Sequence, residues 1–201
     1  MMSYKLLLIA FITFLFVGCS TTIPAVSEYR INIASSPSVF AQTGCKEQSL
    51  KIAQAFSSSS LMTQNMSYGQ GNHKQYAFTQ SQWAESPNRA ISTEILEYVR
   101  STKLFKNVQI SKSRTVNGLL LETNIDDFMQ YFSEDEKESF VLVRINLTLI
   151  DVKTSKVIAT KTFYSRMEVD NINADDGVKN LNIALKNVLD ESAEWFGEIC
   201  K

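Results

Sequence analysis

The chain has 201 residues, with 20 Lys and Arg against 21 Asp and Glu, one His and a formal net charge of −1. That balance, with no basic stripe along the chain, speaks against a nucleic-acid binder, which needs clustered Lys and Arg to neutralise phosphates. Three prolines and seven glycines likewise exclude a fibrous or low-complexity chain.

The first twenty residues, MMSYKLLLIAFITFLFVGCS, organise the reading of the rest. Lys5 is followed by an uncharged apolar run from Leu6 to Val17, then Gly18 and Cys19. The run is too short to cross a bilayer, which takes about 20 apolar residues. A basic start, a short apolar middle and a small residue at the cut make a secretory signal. Phe16-Val17-Gly18-Cys19 resembles a bacterial lipobox, with Phe16 where Leu is usual. The resemblance implies that residues 1–18 are removed and that Cys19 carries lipid as the first mature residue. Several acyl chains, each contributing about 0.8 kcal/mol per buried CH₂, would anchor it firmly. Ser20 in place of Asp favours the outer membrane on the same resemblance. The alternatives are an ordinary secretory signal that happens to contain a cysteine, or an uncleaved anchor.

Residues 19–28 then read as a small, polar tether, and residues 29–201 as a single periplasmic domain. A strand is expected at Tyr29–Ala34, where Tyr29, Ile31 and Ile33 alternate with Arg30 and Asn32. Ser35-Ser36-Pro37-Ser38 breaks it. A weaker alternation over Gln48–Phe56 is assigned to strand, and the serines at 57–60 to a surface turn. Leu61–Tyr68 and Lys74–Gln80 form a hairpin around Gly69-Gln70-Gly71-Asn72, residues that supply positive-φ positions. Ser86-Pro87 opens a helix, Ser as cap and Pro in the first turn. Ile91, Ile95, Leu96, Tyr98 and Val99 give it an apolar stripe ending near Thr102.

Strands follow at Leu104–Ser111 and Gly118–Phe128, then a polar loop at Ser133–Ser139. The clearest strand of the chain is Phe140–Asp151: Val141, Val143, Ile145, Leu147 and Leu149 form one apolar face. The turn at Lys153-Thr154-Ser155-Lys156 returns it as Val157–Val169. A final helix, capped by Asp175 or Asp176 and running to about Ile199, repeats apolar residues from Val178 to Phe196 at spacings of three and four. Two amphipathic helices and six or seven mostly antiparallel strands specify an α+β two-layer sandwich, a sheet covered on one side.

With Cys19 assigned to lipid, Cys45 and Cys200 remain as a pair in an oxidising compartment. They are expected to form a disulfide, the alternative being two separate buried thiols. No C-x-x-C spacing is present.

The residues offer little for chemistry. His73, the one histidine, falls in the expected hairpin turn. It has no nucleophile motif beside it, and zinc ligands are lacking. No Gly-rich phosphate motif occurs, so no cofactor is expected. Asp126, Asp127, Glu134, Asp135, Glu136 and Glu138 lack calcium-loop spacing and read as solvated. Trp195 lies on the last helix's apolar stripe, and Trp83 is assigned to packing beneath the first helix.

The order of these parts resembles the ABC-type transport auxiliary lipoproteins, small outer-membrane partners of Mce-type, paraquat-inducible and Mla-like lipid transport systems. The matching features are Tyr29-Arg30-Ile31 after the tether, and Tyr76 through Trp83 (YAFTQSQW) leading into Ser86-Pro87. Leu104-Phe105-Lys106-Asn107-Val108 follows the helix; Leu119–Phe128 precedes the hairpin Val141–Arg166, with Leu149-Ile150-Asp151 leading into its turn. The resemblance implies a non-enzymatic subunit tethered to the outer membrane. Its implied partners are Mce-domain or ABC transporter proteins, met by strand addition at a sheet edge or as a homo-oligomer. Cys19 alone is carried over as a functional residue. The alternative is an assembly lipoprotein partnering an outer-membrane barrel, pilus or secretin.

Overall fold

A computed structural model of the chain describes residues 24–33, 44–114 and 118–201. In order, the elements are β1 (Ser27–Tyr29), β2 (Ser49–Ile52), β3 (Phe56–Ser57), a 3₁₀ turn at Ser59–Met62, β4 (Asn65–Gln70) and β5 (Lys74–Trp83). Then come α1 (Pro87–Thr102), β6 (Asn107–Ile110), β7 (Leu119–Phe132), β8 (Ser139–Asp151), β9 (Lys156–Glu168) and α2 (Ala174–Ile199). The fold is α+β, one mixed sheet with both helices packed on one face.

β7 is the spine. Along one side it pairs in succession with β2, β3 and β4, all parallel; along the other it pairs antiparallel with β8, which carries β9. β5 joins β4 antiparallel, and β1 lies parallel to β5 with Ser27 opposite Ser81. The described residues thus hold nine strands, where six or seven mostly antiparallel ones were expected. The difference has a physical cause. A hairpin announces itself by its turn, whereas parallel neighbours are joined by long crossovers that leave no local signature.

The alternation of β8 is realised in full. Val141, Val143, Ile145, Leu147 and Leu149 are all buried against the helices, with Leu121, Ile125 and Phe128 of β7 beside them. A bulge between Ile125 and Asp127 shifts the period of β7 by one, so that core positions pass from odd to even numbers. From the helix side, α1 contributes Ile91, Ile95, Tyr98 and Val99, and α2 contributes Leu181, Leu185, Val188 and Phe196. Trp83 is buried with its ring 5.6 Å from Phe128, and Trp195 packs 5.7 Å from Phe163.

Four expectations need correction. The first strand is Ser27–Tyr29, not Tyr29–Ala34, so the end of the expected tether already pairs with β5. Ile31 and Ile33 are nonetheless buried, because the chain leaves the sheet to run over the helices. There the N–H of Asn32 donates to Asn182 Oδ1 at 2.8 Å, and that of Ile33 to Glu94 Oε2 at 3.3 Å. Gly69 and Gln70 belong to β4, and the positive φ falls on Gly71, at 56°. The cap of α2 is Asn173, whose Oδ1 accepts from the N–H of Asp176 at 2.8 Å. Asp175 and Asp176 occupy the first turn, where carboxylates favour the helix dipole. Finally, Leu61 starts no strand but sits in the 3₁₀ turn, buried beneath the sheet's split edge.

Candidate functional site

Cys19, residues 1–18 and the first part of the tether lie outside the described residues. Cys45 and Cys200 are disulfide-bonded, with Cα atoms 5.1 Å apart, and both are buried. The bond ties the last turn of α2 to the segment before β2. Gly44 closes against it: its N–H donates to the Cys200 carbonyl at 2.9 Å, and a Cβ there would lie 2.4 Å from that oxygen. This pair is a structural staple joining the two ends of the domain.

His73 sits exposed in the β4–β5 turn, and among the described residues no acid or nucleophile is bonded to it. The acidic residues do not converge either. Asp126 and Asp127 lie on β7, while Glu134–Glu138 form the β7–β8 turn, closed by Ser133 Oγ accepting from the N–H groups of Lys137 and Glu138, both at 3.1 Å. Among the described residues no three metal-binding side chains come together.

What the fold does present, among the described residues, is a sheet face with no helix on it. The register of β7, β8 and β9 lays that face out in rows. Leu120, Ile150 and Val157 make an apolar row at one end. Next come polar rows: Asn146 Nδ2 donates to Thr162 Oγ1 at 2.9 Å, and the hydroxyls of Thr148 and Thr160 are 3.0 Å apart. Asp127, Arg144 and Tyr164 follow, then Met129, Leu142 and Arg166.

The last row is an aromatic shelf. The Tyr131 ring lies over Gly69, where a Cβ would meet it at 2.5 Å, and stacks on Phe140 with centroids 5.1 Å apart. The Arg166 guanidinium covers Phe140 at 3.6 Å and pairs with Glu168 at 3.0 Å. Tyr131 donates its hydroxyl to Asp127 Oδ2 at 2.7 Å. Burial pushes the Asp127 carboxyl up, against the pull of the Tyr131 hydroxyl and Arg144, and burial and Asp127 together raise the Tyr131 phenol. A cavity of about 220 Å³ opens beside the shelf, lined by Gly71, Asn72, Tyr131, Phe140, Arg166 and Glu168. Sequence reading missed this shelf because the β7 bulge moves Tyr131 onto the face opposite to that implied by the strand's earlier alternation.

The rim of the open face is the more unusual feature. β9 is a strand of 13 residues that, among the described residues, pairs with β8 alone. Tyr164, Val157 and Ile158 on it are 65%, 59% and 47% exposed. At the opposite margin Phe56 is 78% exposed. A long free edge with exposed apolar residues is a template for another strand.

No protein-family model and no curated protein matches the chain. Solved structures share its fold. A DUF330 protein from Xanthomonas campestris superposes with a TM-score of 0.77 at 13% identity, over 87% of this chain and 96% of that one. An uncharacterised protein gives 0.65 at 15% identity, over 88% and 99%. A hypothetical protein from Chlamydia trachomatis gives 0.50 at 9% identity, over 77% and 98%. At such identities the likeness is one of fold: the chain has the architecture of the Xanthomonas DUF330 protein across nearly its whole length.

Proposed function

We propose that the chain is a lipid-anchored protein of the Gram-negative envelope whose folded body is a docking platform rather than an enzyme. Within that class we assign it as an auxiliary subunit of an ABC- or Mce-type lipid transport system, held at the outer membrane and facing the periplasm. The observation that carries the reading is the placing of β1 and β9 in the branched sheet. The tether joins β1 at the end of one branch, while among the described residues the long edge of β9 and the open face beside it, at the end of another, are left uncovered. The lipobox at Phe16–Cys19 supports anchoring, and the order of elements, Ser86-Pro87 helix and long β8–β9 hairpin included, supports the transport assignment.

Affinity purification of the full-length, lipidated chain from detergent-solubilised envelopes tests this. The expected result is recovery of an inner-membrane permease, ATPase or Mce-domain protein. Recovery of an outer-membrane barrel instead would favour the assembly role.

A further inference from the structure

We propose that Ser27–Ile33 is a releasable strap. Seated, it holds the folded body close to its membrane anchor; released, it lengthens the tether up to a stop set by the Cys45–Cys200 bond. The inference rests on the anchoring reading above and gives a working role to the tether's first contacts with the domain.

The first observation is how the segment is held. β1 is three residues long and, among the described residues, pairs with β5 alone. Gln82 Nε2 donates to Glu28 Oε1 at 2.8 Å, and the Ala84 N–H donates to the Tyr29 carbonyl at 2.8 Å. Beyond Tyr29 no strand ladder continues, and one side chain from each helix bonds the backbone instead. Asn182 of α2 brackets it, with Oδ1 accepting from the Asn32 N–H at 2.8 Å and Nδ2 donating to the Arg30 carbonyl at 3.5 Å. Glu94 of α1 accepts from the Ile33 N–H at 3.3 Å. The last two are long for such bonds. All of these can open without breaking a single pair of the β7–β8–β9 ladder. Local opening begins where contacts are this few.

The second observation is the seat. Ile31 and Ile33 are buried, at 8% and 5% exposure, where Val143 and Leu185 in the core are fully covered. A cavity of about 170 Å³ opens beside the strap, lined by Arg30, Ile31, Ala84, Glu85 and Ala90. A side chain that borders a cavity lacks packing partners on that side and is held less firmly.

The third observation is where release must end. Cys45 is covalently joined to Cys200, and the Gly44 N–H donates to the Cys200 carbonyl. Opening therefore cannot run on into β2, whose Leu50 is fully buried. With the strap seated, eight residues (27 − 19) separate Cys19 from its first fixed contact. They reach at most roughly 27 Å. With it released, 26 residues (45 − 19) separate Cys19 from the disulfide. Those reach at most roughly 88 Å. The strap thus sets two working distances between body and bilayer, and the disulfide shields the core when the longer one is in use.

The test is hydrogen exchange of the full-length, lipidated protein in detergent micelles, resolved to single amides by mass spectrometry. Asn32 and Ile33 should exchange roughly 100-fold or more faster than Val143–Leu147 of β8, while Leu50–Ile52 stay as slow as β8. Asn182→Ala should speed the Asn32 amide roughly fivefold or more and leave β8 unchanged. Glu94→Gln keeps an acceptor facing Ile33 and should change little. Strap amides as slow as those of β8 overturn the proposal, and this comparison needs no variant. So does an Asn182 variant that speeds β8 as much as the strap, or Leu50–Ile52 exchanging as fast as the strap. Intact mass reports acylation separately. A fast strap on an unacylated chain keeps the latch and removes the anchoring; a slow strap on an acylated chain removes the latch and leaves the anchoring.

Discussion

Replacing both Cys45 and Cys200 with Ser should lower the melting temperature of the soluble domain by roughly 10–20 °C. The bond joins residues 155 positions apart. In the chain-entropy model, releasing a loop of that length costs roughly 5 kcal/mol through the unfolded state, and each kcal/mol moves the midpoint by roughly 2–4 °C in a chain of this size. Both cysteines are buried, so each serine hydroxyl left there without a partner adds a native-state cost of roughly 1–3 kcal/mol. Scanning calorimetry of the oxidised protein, of the protein with reductant and of the double variant measures it. The last two should both melt below the first, the double variant lowest, and a midpoint that moves in neither would show that the staple holds nothing together.

Phe196→Ala should destabilise by roughly 3–5 kcal/mol, the range for an aromatic side chain removed from a packed core. Phe196 is fully buried, with its ring 5.9 Å from Phe105 and 5.0 Å from Trp195. It connects the last turns of α2 to the segment leading into β6, and through Trp195 to Phe163 of β9. The contrast is Phe56→Ala: that side chain is 78% exposed and its loss should change stability by under about 0.5 kcal/mol. The carbonyl of Phe196 accepts from the Cys200 N–H at 2.9 Å, so the truncation and the disulfide share one turn. Their effects should not add: once the bond is gone the final turn is looser, and Phe196→Ala should cost less. Urea titrations of the four proteins give the coupling.

Much of this fold is written in local pattern. Ser86-Pro87 and the stripe from Ile91 to Val99 place α1, and the helix ends at Thr102 as expected. The alternation of β8 and the turn after Asp151 specify the β8–β9 hairpin because one face is buried and the other wet. The sites where reading failed are those where a distant part of the chain decides. β1 is a strand because β5 accepts it, and Ile31 and Ile33 are buried without a ladder because helix side chains receive their neighbourhood's N–H groups. The cap of α2 is Asn173 rather than either Asp, a choice set by where the chain arrives from β9. The open face was legible only in part. Arg144, Asn146 and Thr148 marked it as polar, but the shelf of Tyr131 on Gly69 depends on a bulge and on parallel pairing with β4, neither of which has a sequence signature.

The functional assignment is legible chiefly outside the folded body, in the four residues ending at Cys19. Intact-mass analysis of the mature protein purified from envelopes therefore bears on it most directly. The account predicts a chain that starts at Cys19 and carries the added mass of a diacylglycerol and an amide-linked acyl chain. A mature chain with a bare amino terminus, or one that retains residues 1–18, would contradict it.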